Sequence, residues 1–152
     1  DGAKVKNITI RNIQMDGETC PLFISLNNRN RDKEFDNRGE MSGITVENIT
    51  ATDVEVPVII TGTKDLTVRD VTLKNFNLTY APGEDYYDYR LFVSAYDDTY
   101  PECNRMRNLN AYGLWARYAD NVVLEGFEVQ PREGTKREAI YTKKVANFQN
   151  NT

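Results

Sequence analysis

The sequence predicts an all-β chain: a right-handed parallel β-helix, a solenoid of about four to five coils carrying long loop insertions. Three observations predict it. A phrase recurs with its internal spacing kept. Apolar and polar residues alternate within each phrase, with β-branched types dominant, which is the period of a strand. No stretch carries a convincing helical period. The chain of 152 residues, 39% hydrophobic and 28% charged, is long enough for one domain with a real core. Residues 1–152 are therefore read as a single domain.

The first phrase runs from Asn7 to Leu26, "NITIRNIQMDGETCPLFISL", and the second from Gly43 to Gly62, "GITVENITATDVEVPVIITG". Ile8, Ile10 and Ile13 align with Ile44, Val46 and Ile49; Asn12 with Asn48; Pro21 with Pro57; Phe23 and Ile24 with Ile59 and Ile60. A third version is read from Leu66, "LTVRDVTLKNFNLTY", with Asp70 in the Asn position. A fourth starts at Val122, with Gly126 in that position and Ala139, Ile140 and Tyr141 as its second burst. Turn formers separate the bursts: Asp16-Gly17, Gly62, Pro82-Gly83 and Gly134. Each strand of such a coil pairs with its counterpart in the next, so inward Ile, Val, Leu and Phe form columns. Asn12 and Asn48 then fall at a bend, where stacked side-chain amides bond coil to coil. A sandwich of antiparallel strands is the competing architecture, but it gives no reason for a fixed Ile-to-Pro interval.

Two segments interrupt the pattern: a charged loop over about residues 27–40 and a longer insertion over about 80–110, lengths at which loops are usually functional or mobile. Within the second, Tyr86, Tyr87 and Tyr89 suit either a sugar-stacking platform or packing onto the wall of the fold. Trp115 is expected in the core or wall.

Composition narrows the chemistry. Histidine is absent, which removes the commonest general base and metal ligand together. Nucleophile systems built on histidine are excluded within the chain, and no metal or cofactor is expected. The net charge of −4 argues against a nucleic-acid binder. No apolar run approaches the roughly 20 residues of a membrane helix. Cys20 and Cys103 are the only cysteines. One disulfide or two separate thiols both fit, and spacing does not pair them. Asn7, Asn48, Asn77 and Asn150 each begin a glycosylation sequon, which for coil asparagines is read as coincidence.

"VKNITIRNIQMDGETCPLFISL" resembles the coil that follows the catalytic region in polygalacturonases, glycoside hydrolase family 28, through Val5, Asn7, Ile8, Asn12, Ile13, Met15 and Pro21. "TYPECNRMRNLNAYGLWARYADNVVLEGFEV" resembles a late segment of the bacterial members through Tyr100, Pro101, Glu102, Ala111, Tyr112, Gly113, Leu114 and Arg117. Asn110, Trp115 and Tyr118 depart from that pattern, standing where the family has Pro, Tyr and His. The resemblance implies an inverting hydrolase of pectic polysaccharide, galacturonan or rhamnogalacturonan, whose paired carboxylates stand roughly 6.5–9.5 Å apart. It also implies that the family's catalytic Asn-Thr-Asp and Asp-Asp motifs, its Gly-His-Gly and its Arg-Ile-Lys are missing from this chain. Asp97-Asp98 and Lys4-Val5-Lys6 echo two of them in the wrong setting. The expectation is a C-terminal portion of such a protein, inactive alone and without catalytic residues of its own.

The sites the resemblance leaves are for substrate: Asn28, at the position of a family tyrosine, with Arg29 beside it, and Tyr112 and Arg117. Arg29, Arg31 and Lys33 offer cations to an anionic pectin chain. The implied partner is a pectic oligo- or polysaccharide, and the implied location secreted or periplasmic. A non-catalytic β-helix that binds anionic polysaccharide, and a structural or adhesive solenoid, are the alternatives. Whichever holds, Val5 to Leu26 has no capping segment before it, so the N-terminal face is expected to be covered by missing chain or another copy.

Overall fold

A computed structural model describes residues 2–29, 38–90, 100, 102–106 and 108–152. Arg31, Lys33, Pro101 and the Asp97-Asp98 pair lie outside the described residues.

The chain is all-β, 62% strand, built as one parallel sheet that curls into a half-barrel. Its strands are β1 (Lys4–Asp16), β2 (Phe23–Ser25), β3 (Glu40–Val54), β4 (Val58–Thr61), β5 (Val68–Tyr80), β6 (Ala111–Gln130) and β7 (Glu138–Asn151). They form two ladders. The first runs β1, β3, β5, then the later part of β6 and of β7; the second runs β2, β4, then the early part of β6 and of β7. Every pairing among the described residues is parallel, which speaks against the antiparallel sandwich. Ile8 stands beside Ile44 and Ile13 beside Ile49, as the repeated phrase requires. A 3-10 turn, Cys103–Met106, lies in the long insertion. Among the described residues no helix is long and apolar enough to cross a membrane.

Positive-φ residues bend the strands at matching places: Asn7 and Asn12 in β1, Asn48 in β3, Asp70 and Asn75 in β5, Tyr118 and Asn121 in β6, Lys144 and Asn147 in β7. Asparagine dominates because its short polar side chain tolerates the left-handed region. The same residues bond between layers. The Asn48 side-chain amide donates to Asn12 Oδ1, and that of Asn75 to Asn48 Oδ1, both at 3.0 Å. The column ends at Gly126, opposite Asn75 and itself at φ 60°, where no side chain is left to extend it. A second column links Asn121 to Asp70 at 2.7 Å.

The third layer departs from its expected register. Val71, not Leu66, stands beside Ile44, so Asn75 rather than Asp70 lies over Asn48. Leu66, Val68 and Val71 continue one apolar series, and alternation does not say where in such a series a layer begins. Gly126 does take the Asn position of the fourth phrase.

Inward side chains of both ladders form one core. Ile44, Val71 and Val122 make one column, Val46, Leu73 and Leu124 another, and Ile49, Phe76 and Phe127 a third, all buried. The Phe76 and Phe127 rings pack with centroids 5.7 Å apart. Burial fails at the β1 edge: Ile8 is 39% exposed and Ile13 37%.

Candidate functional site

In the second ladder the residues alternate about the sheet. Ile24, Ile60 and Ala116 face the core; Phe23, Ile59, Trp115 and Tyr141 face outward. That outer face is not left to solvent. Met106 and Leu109 from the long insertion bury against Ile59 and Trp115, and Cys20 and Cys103 pack beside them. Trp115 is 4% exposed and stacks on Tyr141 at 6.2 Å. It is wall, as expected of it.

One column further along, Ser25, Thr61, Arg117 and Lys143 stand in register. Arg117 is only 5% exposed, its guanidinium 5.0 Å from the Trp115 ring centroid and 5.5 Å from that of Tyr118. A guanidinium is weakly hydrated and stacks on aromatic faces, which is how a cation is tolerated here. At the open end of this column lies a narrow crevice with free room of about 10 Å3, about that of one water, lined by Ser25, Asn27, Thr61, Tyr100, Glu102, Arg105 and Met106 among others. Arg29 lies over the Tyr100 ring at 5.0 Å. Asn28, half-buried, links Asn27 of the crevice to Arg29. Hydroxyls, an amide, an aromatic face and the Glu102–Arg105 ion pair, 3.7 Å across, thus line the crevice, and the Arg29 guanidinium lies beside it over Tyr100.

A second, more open cleft lies between Tyr80–Asp85 and Pro131–Gly134. Asp85 of its lining is held in a buried ion pair with Arg137, the side chains 6% and 5% exposed, and Thr135 donates to the other Asp85 oxygen. Tyr87 covers the Arg137 guanidinium at 5.4 Å, and Arg132 donates to the Ala81 carbonyl at 3.0 Å. Burial pushes the Tyr80 phenol well above its ordinary range, and its O–H donates a hydrogen bond to the Tyr112 carbonyl at 2.6 Å.

Of the four residues singled out from sequence, Asn28 follows Asn27 of the first crevice, Arg29 lies over its Tyr100, and Arg117 shares a column with Thr61 in its wall. Tyr112 is not with them: it packs on the inner core, and its carbonyl belongs to Tyr80. Tyr86 and Tyr89 are 82% and 81% exposed, so of the three insertion tyrosines only Tyr87 packs. The Asp85–Arg137 pair carries no signal in the sequence, its members being 52 residues apart. Tyr100 was visible only as a letter of a motif, and Thr61 only as the end of a strand. Among the described residues no three His, Cys, Asp or Glu side chains gather as a metal site. Comparison with family models, curated proteins and solved structures finds no match to this chain.

Proposed function

We propose that this chain is part of a right-handed parallel β-helix of polygalacturonase type that holds anionic pectic polysaccharide and does not cleave it alone. What carries the reading is the seat of Arg29 across Tyr100, beside a surface crevice walled by Ser25, Thr61 and the Glu102–Arg105 pair, onto which a polysaccharide would lie rather than insert. Two aligned carboxylates are needed for inverting hydrolysis, and the motifs that would supply them are missing from the sequence. On this reading the chain supplies no cleaving carboxylates of its own, and the substrate class suits a secreted or periplasmic setting. The open β1 edge is covered by further strands, from preceding chain or from another copy.

The test is calorimetric titration with oligogalacturonate beside its fully methyl-esterified, neutral form. Binding of the anionic form, weakened by salt and lowered about tenfold by Arg29→Ala, is expected. No binding, or equal binding of both forms, overturns the proposal. The chain's net charge of −4 favours a second reading, a structural solenoid without a sugar role, because it repels a polyanion at long range. Failure to bind either ligand would select it.

A further inference from the structure

The two cysteines stand far apart in sequence, Cys20 in the turn before β2 and Cys103 at the head of the 3-10 turn in the insertion. The fold brings both to the same place. They pack into one cluster, with Val56, Ile59, Met106, Leu109 and Trp115, on the outer face of the second ladder. Both are half-buried free thiols. Cys20 Sγ lies 3.4 Å from the Leu22 carbonyl and 3.6 Å from that of Pro57, and the Cys103 side chain is within hydrogen-bonding reach of it.

We propose that Cys20 and Cys103 are a disulfide site, whose closure pins the Cys103–Met106 turn over the outer face of the second ladder. The bond would fix one wall of the first crevice, because Arg105 and Met106 line it. The inference does not depend on what that crevice binds.

A disulfide from outside, small or held by an oxidoreductase, is the oxidant. A thiolate of the protein attacks one sulfur of that disulfide and expels the other as a thiolate, leaving a mixed disulfide. The second protein thiol gives up its proton, attacks the mixed disulfide at the protein sulfur and expels the second thiolate. Two protons and two electrons leave the protein, and the oxidant departs as two thiols. Burial, and then the neighbouring Cys103, hold the Cys20 thiol well above its ordinary range.

The experiment incubates the full chain, natively folded, with oxidised glutathione and maps the products by mass. Expected is a loss of about 2 Da, a peptide joining Cys20 to Cys103, reversal by dithiothreitol and a rise in Tm of several degrees. The Cys103→Ser variant should show neither the bond nor the rise. Should Cys20→Ser disturb the packed cluster, alkylation mapping of the unaltered chain still decides the matter. The proposal is overturned if both thiols remain alkylatable after oxidation, if glutathione stays on one of them, if cross-links form only between molecules, or if the joined form melts no higher.

Discussion

At the scale of single residues, the asparagine column does two things at once. Asn48 occupies φ 56°, and its amide both donates to Asn12 and accepts from Asn75. Its glycosylation sequon is thereby occupied by the fold. Asn48→Ala loses the bonds and also places a Cβ residue without a polar side chain in the left-handed region; Asn48→Gly loses only the bonds. The site is exposed, so the bonds are individually modest. Urea unfolding should therefore show a loss of about 1–2 kcal/mol for Ala and a smaller loss for Gly. Equal losses would mean that backbone conformation contributes nothing. This part of the fold was legible, because a residue type tolerant of one unusual conformation was repeated at one place in the phrase. Asp70 misled for the same reason: it too has positive φ, but in the neighbouring column.

At the scale of elements, the strands were readable and the covering of their outer face was not. Alternation reports which residues face inward, but Met106 and Leu109 lie in an aperiodic segment, and only the fold shows what they bury. The attachment of that insertion to the last layers was equally hidden, since Asp85 and Arg137 show no periodicity. Removing one member of a buried ion pair strands the other. Asp85→Ala or Arg137→Ala is expected to lower stability by about 3–5 kcal/mol and to open the segment around Pro82–Tyr89 to protease. Replacing both, Asp85→Leu with Arg137→Met, should recover most of that loss, because the desolvation cost of both charges is removed together. Chemical denaturation of the four proteins measures the cycle. If the double variant is as unstable as the worse single one, the pair is not acting as a compensated charge pair.

At the scale of the whole molecule, the parallel layers support one another only through their neighbours. Ile8, at the edge, is 39% exposed, while its column partners Ile44, Val71 and Val122 are 5%, 0% and 0% exposed. Phe148, the next in that column, is again only partly buried. Truncations should reflect this position. Phe76→Ala in the middle layer should cost about 3–5 kcal/mol. Ile13→Ala, in the same column but at the edge, should cost less, since 37% of its surface stays in water while Phe76 is fully buried. Hydrogen exchange gives the profile directly: amides of β5 and β6 should be the slowest, with β1 and β7 exchanging through local opening of the outer layers. Dilution sharpens the reading. If another copy covers β1, its protection will fall as the protein is diluted while that of β5 stays fixed. Uniform protection from β1 to β7 at every concentration would contradict layer-by-layer support, because a strand with one unpaired edge and half-exposed isoleucines would then be as stable as one enclosed on both sides.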